Sequence, residues 1–272
     1  MPESIISIAL AAAIRAHALR MVARAKASHV GGALSMADLL AVLYSGVLRH
    51  RPDQPDWPGR DRFLLSKGHS CTAVYATLAL RGFFPVTELE TYGRDGSRLM
   101  AHISHQVPGV EFSTGSLGHG LPFGLGKALA AQRDHKNWRV FTLLSDGELD
   151  EGSNWEAILL APQHRLDNLV ALIDYNKIQS LGSVAEVAEL HPLADKFRAF
   201  RWAVREVDGH DHTALRNALN AVPWEPGRPS CLIAHTTKGR GVDFMQDQLA
   251  WHYKSPDASQ LADALRQLGC HD

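Results

Sequence analysis

Cysteine is scarce in this chain. Cys71, Cys231 and Cys270 are the full set among 272 residues, and their wide spacing forms neither a zinc pattern nor a disulfide framework. An excess of charge of one sign is missing too. The formal net charge is −1, which offers no basic face for nucleic acid or an anionic membrane. Long hydrophobic runs are lacking. Residues 5–14 are apolar, but they have no basic start and fall short of the ~18 residues a membrane span needs. They read as the buried side of a helix that continues past Arg15, Arg20 and Arg24. A cytoplasmic location is the default expectation. No G-x-G-x-x-G follows the first strand, which argues against a dinucleotide-binding oxidoreductase. No internal repeat, low-complexity tract or domain linker stands out.

What is present is alternation. Apolar spacings of three and four predict helices over 5–26, 35–48, 70–81, 121–133, 194–200 and 211–221, with Ser35 as an N-cap. Short buried strands are predicted at 63–66, 139–144, 169–174, 202–207 and 230–236, and a further helix separates the second and third. Ser28-His29-Val30-Gly31-Gly32 reads as a break. Residues 92–120 are glycine-rich without periodicity, and such a stretch in a compact domain is usually functional. The expectation is an α/β fold, a doubly wound and mostly parallel sheet with helices on both faces. Residues 1–272 read as a single domain with a C-terminal tail from about 237.

Four groups of residues carry candidate chemistry. Asp146 ends one apolar run and Asn176 ends the next, with a helical pattern between them. In a βαβ unit both strands end on one sheet edge, so the two side chains can converge on a hard cation. Carboxylate, amide and carbonyl oxygens suit magnesium, calcium or manganese, and do not suit zinc. From the spacing alone, a helix cap at Asp146 and a turn at Asn176 are equally open. Gly115-Ser116-Leu117-Gly118-His119-Gly120 precedes a helix and could bring backbone N–H groups to an anion, although a plain turn explains it as well. His29, His69, His102 and His252 each fall on a non-helical break, which suggests one shared cleft where imidazoles bind hydroxyls and pass protons. Glu148, Asp150 and Glu151 open a helix, where acidic residues suit the dipole. Arg60, Arg62, His105, His119, His210 and His212 read as structural or surface residues.

The stretch from Asp146-Gly147 through the acidic cluster to Asp174-Tyr175-Asn176-Lys177-Ile178 resembles the thiamine-diphosphate signature in its transketolase version. Pro108-Gly109-Val110-Glu111, the glycines that follow it, and the segments around the four histidines are similar to that family as well. The likeness runs from about residue 10 to 255. It departs at Ser145, where the family has glycine, and at Val30 and Ile103, where proline usually follows the histidine.

The resemblance implies a thiamine-diphosphate-binding fold with a divalent metal held by Asp146, Asn176 and the carbonyl of Ile178. It implies cofactor contacts from His69, Gly115, Ser116, Leu117, Gly147, Glu151, Asn176 and His252. Catalytic roles fall to His29, His69, His102 and His252. A complete transketolase is more than twice this length, so the likeness implies the N-terminal subunit of a split enzyme. The expected partner is a C-terminal subunit with the pyrimidine-binding domain, in an α2β2 heterotetramer. The pair would transfer a two-carbon ketol unit from a ketose or its phosphate to an aldose or its phosphate, and this chain alone would be inactive. The competing expectations are the α subunit of another thiamine-diphosphate enzyme, of 2-oxo-acid dehydrogenase or deoxyxylulose-phosphate-synthase type, and a non-catalytic thiamine-diphosphate-binding protein.

Overall fold

The computed structural model describes residues 3–270. Five strands, β1 (Arg62–Leu65), β2 (Val140–Ser145), β3 (Leu169–Tyr175), β4 (Ala203–Asp208) and β5 (Ser230–His235), form one all-parallel sheet in the order β1-β2-β3-β5-β4. The central strands are buried on both faces, which is why they read as continuous apolar runs.

Side chains alternate between two cores. Phe63, Leu65, Phe141, Leu143, Val170, Leu172 and Leu232 pack on one face. Leu64, Val140, Leu144, Leu169, Ala171, Ile173 and Ile233 pack on the other. Helices α5 (Gly120–Arg133), α6 (Gly152–Gln163) and α8 (Leu193–Ala199) cover the second face. The first face carries α1 (Glu3–Ala25), α3 (Ala37–Val42), α4 (Cys71–Leu80) and α9 (His212–Asn220). Handedness explains the split. The chain moves one way across the sheet through α5, α6 and α8, then steps back from β4 to β5 through α9. A right-handed crossover in the reverse direction must use the opposite face.

Several local expectations are corrected. Ser35 is no N-cap. It lies inside α2 (Val30–Ser35), which begins directly after His29 and includes Gly31 and Gly32. Burial decides this, because the Ser35 hydroxyl is needed inside, where it donates to Asp174 Oδ2 at 2.5 Å. The expected helix over 35–48 divides into α3 and a π-helical turn, Leu43–Val47, where Gly46 takes φ +157°. Besides α2, helices α7 (Val184–Val187) and α10 (Ala258–Gln267) were not foreseen. The apolar stretch of α1 is also longer than its sequence suggested. It covers Ile5–Ala25, enough by length and composition to cross a membrane, yet half of its apolar window is buried inside the protein.

The residues after β5 do not trail away. Val242, Met245, Trp251 and Ala264 join Leu19, Val22, Val30 and Leu34 in a third apolar cluster. This packing clamps the segment carrying Lys238 and His252 against α1 and α2.

Candidate active site

Every strand of the sheet runs toward the same edge, and the loops leaving β1, β2, β3 and β5 meet there around a cavity of about 280 Å³. His29, His69, His102, Asp146, Gly147, Asn176, Ile178, His252, Gly115 and Leu117 all line it. Ser116 and Glu151 are exposed and lie outside that lining. Glu151 sits at the surface against Gly118, whose φ of +84° leaves no room for a Cβ between Ser153 and Glu151.

Asp146 and Asn176 follow directly on β2 and β3, whose last residues are Ser145 and Tyr175. Gly147 N–H donates to Asp146 Oδ1 at 2.8 Å and Lys177 N–H to Oδ2 at 2.5 Å. Asn176 Oδ1 accepts from Ile178 N–H at 3.2 Å. Burial, and then the nearby charge of Asp174, push the Asp146 carboxyl up to about 7. Asp174 itself is held down by Lys67, with further donors in Ser35 and Thr236. A buried carboxyl pushed upward, with an amide oxygen and a carbonyl beside it on the same cavity, is a donor set that fits a hard divalent cation.

The imidazoles form a cluster. Ring centroids of His29 lie 4.8 Å from His69, 5.0 Å from His252 and 6.4 Å from His102. His29 takes the left-handed conformation, φ 70°, and its N–H donates to the carbonyl of His252 at 2.8 Å. That conformation turns the chain out of α1 and aims the ring into the cavity. Burial is the leading cause that lowers His29 to about 4 and His252 to about 3, with the other imidazoles and Lys238 adding to it. His69 is lowered well below its ordinary value for the same reason. Near neutral pH these rings are neutral. The His29 Nδ1 atom is buried without a partner.

Two lysines are functional candidates that sequence patterning passed over. Lys67, 1% exposed, ion-pairs with Asp174 and donates to the Gly32 carbonyl at 2.9 Å. Lys238, 2% exposed, donates to the Ile178 carbonyl at 2.8 Å and contacts His252 Nδ1 at 2.9 Å. Burial lowers Lys238 to about 8. The signal was available, since each charge stands at the end of a short apolar strand where a solvated loop would ordinarily begin. Glu148 is likewise buried, accepting from Ser66 Oγ at 2.5 Å and Gly118 N–H at 2.9 Å, which ties the glycine segment to the β2 loop. Two arginines assigned to structure are tied into the fold. Arg60 pairs with Glu111 at 2.7 Å, and the Arg62 guanidinium lies 4.4 Å from the Trp138 ring centre.

Comparison with known proteins decides the family. Residues 6–272 match the transketolase, thiamine diphosphate binding domain. The chain belongs to the transketolase family. It is 41% identical over 254 residues to an apulose-4-phosphate transketolase subunit of Phocaeicola vulgatus, covering 93% of this chain and 90% of that one. It is 42% identical over 240 residues to the 6-deoxy-6-sulfo-D-fructose transketolase subunit SqwG of a Clostridium species, covering 88% and 87%. Transketolase from Leishmania mexicana superposes with a TM-score of 0.91 at 30% identity. That match covers 97% of this chain but 41% of the longer one. The transketolase fold expected from sequence is thereby established, as is the likeness to single subunits of two-chain transketolases.

Proposed function

We propose that this chain is the diphosphate-binding subunit of a two-chain transketolase, which moves a two-carbon ketol unit from a ketose to an aldose. The observation that carries the reading is the convergence of four imidazoles with Asp146, Asn176 and Ile178 on one cavity. Asp146, Asn176 and the Ile178 carbonyl would hold magnesium, and calcium or manganese suit the same oxygens. Gly147, Gly115, Leu117 and His69 would contact the cofactor. When bound, thiamine diphosphate supplies the carbon nucleophile for ketol transfer, and the metal neutralises its diphosphate.

The chain's own side chains do the rest. Lys67 and Lys238 bring positive charge to a cavity that would receive an anion. His252 Nδ1 accepts from Lys238, so its Nε2–H is free to donate to a donor oxygen. His29, which lines the cavity and is neutral, can take a proton from a sugar hydroxyl. His102 would hold the C1 hydroxyl, and His69 would sit nearer the diphosphate. Ser116 and Glu151, exposed beside the glycine segment, would act at the interface with a partner.

Likeness to single subunits supports a partner. The chain matches a relative named as one transketolase subunit over 93% of its own length and 90% of that relative's, and it spans 41% of the Leishmania mexicana transketolase. A cofactor cleft formed between domains stays open to water until its second wall is in place. The reading therefore includes a C-terminal subunit with the pyrimidine-binding domain, an α2β2 assembly and a cytoplasmic location. The two subunit relatives act on different sugars, so the ketose is left as a class. In the deciding assay, this chain and its C-terminal partner chain are tested separately and together with ketose donors and with pyruvate. Ketose turnover that appears only on mixing is the expected result. Full activity of this chain alone would overturn the two-chain reading, and use of pyruvate in place of a ketose would move the chain to another thiamine enzyme.

A further inference from the structure

Behind the cavity lies a second polar cluster, built from residues far apart in sequence. Asp38 of α3 accepts from Arg15 Nη1 at 3.1 Å and Nη2 at 2.5 Å. His212 Nε2 lies 3.0 Å from Asp38 Oδ1, and His210 Nδ1 lies 2.6 Å from Oδ2. These partners hold the Asp38 carboxyl far below its ordinary range despite its burial. The other nitrogen of His210 faces the active-site edge. Thr237 N–H donates to His210 Nε2 at 2.9 Å. One tautomer satisfies both contacts, with the proton on Nδ1 given to Asp38 and the lone pair on Nε2 taking the Thr237 amide.

We infer that His210 is a positioning residue, which grips the Thr237 amide and so fixes the turn that delivers Lys238 to the Ile178 carbonyl and His252. The inference rests on the reading of that cavity as the cofactor site. Thr237 stands between Thr236, whose hydroxyl donates to Asp174, and Lys238. A shift of its amide therefore moves both. The two loops are also fitted to each other. A Cβ on Gly209 would stand 2.4 Å from Thr236 Cγ2, and Gly209 N–H donates to the His235 carbonyl at 2.8 Å. Asp38 keeps other partners without His210, because the Arg15 guanidinium and His212 Nε2 also contact it. The bond that only His210 makes is the one to Thr237.

Two substitutions separate the contacts. His210→Gln offers an oxygen where Nε2 was and keeps an acceptor for Thr237. His210→Asn offers an N–H where Nδ1 was, keeping the donor to Asp38 and losing the acceptor. In the full-length chain, amide hydrogen exchange at Thr237 is expected to quicken roughly tenfold in His210→Asn and to stay near wild type in His210→Gln. Thiamine diphosphate binding with magnesium, by calorimetry, is expected to follow the same order, weaker by about tenfold in the first and by little in the second. Equal effects from both variants, no effect from either, or the reverse order would overturn the assignment. Nitrogen-15 spectra of the wild-type chain provide a check that needs no variant. The Nδ1–H tautomer at His210 supports the assignment and the Nε2–H tautomer overturns it. If wild type binds no thiamine diphosphate even with its partner, the cofactor reading falls while exchange at Thr237 still decides the role of His210.

Discussion

Two corners of the same sheet edge reach the cavity by different routes. At the ends of β2 and β3, Asp146, Gly147, Asn176 and Ile178 come from one βαβ unit, and their spacing in sequence is their spacing across a strand pair. At the end of β5, Lys238 is held by Ile178 and His252, its turn by His210, and His210 by Asp38. Those residues span most of the chain. The first corner is a motif, and the second is an assembly that exists only once α3, α9 and the β5 loop have packed.

The largest expected effect falls on the residue that joins the corners. Lys67 neutralises Asp174, which both the β3 and β5 loops use. Lys67→Met leaves a buried carboxylate without its cation, and breaking such a pair costs about 3–5 kcal/mol. Urea unfolding of the variant measures this. A loss below about 1 kcal/mol would mean that Ser35, Thr236 and Asn176 suffice, and that the corners are separable.

Asp146→Ala tests the first corner alone. Magnesium-dependent binding of thiamine diphosphate is expected to fall by about a hundredfold or more, since one of the few hard oxygen ligands is gone. Calorimetry on the assembled enzyme reads it. The apo variant is expected to melt no lower than wild type, because a buried carboxyl pushed upward is a cost to the fold. Unchanged cofactor affinity would remove the metal reading.

The glycine segment is a smaller, geometric test. Gly118→Ala forces a side chain onto φ +84°, with its Cβ 2.5 Å from Ser153 Oγ and 2.7 Å from Glu151 Cβ. Strain of this kind costs about 1–3 kcal/mol. The expected outcome is a lower melting temperature, together with loosening of the Glu148 link between this segment and the β2 loop.

These contrasts explain what was legible in the sequence. The alternation of strands and helices was readable because buried parallel strands leave short apolar runs and helices leave spacings of three and four. Asp146 and Asn176 were readable because one βαβ unit keeps their separation fixed. The four histidines were readable as a set only because each interrupts the apolar spacing; His69 and His252 in fact lie in short 3-10 turns, and the structure brings the other three rings to 4.8–6.4 Å from His29. Ser35 was misread because its local context looks like a cap, whereas a contact 139 positions away decides its place. Lys67 and Lys238 show locally only that a charge closes a short apolar strand, and Asp38 and His210 carry no local signature. Their meaning lies in partners chosen by tertiary packing, which no spacing rule encodes.

The smallest effect, a dependence on pH, sets the two corners against each other. His29 is lowered to about 4 and His252 to about 3, from 6.5, so the unfolded chain binds protons at these sites over a range where the folded chain does not. Their stabilising contribution is complete above about pH 6.5 and is lost as pH falls toward 4 and 3. Asp146 works in the opposite sense. Raised from 3.8 to about 7, it keeps its proton in the folded chain where the unfolded chain has lost it, so its contribution falls as pH rises from about 4 to 7. Melting temperatures of the metal-free chain between pH 4.5 and 6.5 therefore report a difference between the corners. With two imidazoles against one carboxyl, and His69 shifted in the imidazole sense, stability is expected to rise with pH across this window. The rise should be shallower in His29→Asn and steeper in Asp146→Asn. Parallel curves for wild type and His29→Asn would mean that the ring is protonated in the folded chain near pH 6, and it could not then serve as the neutral acceptor of a sugar proton.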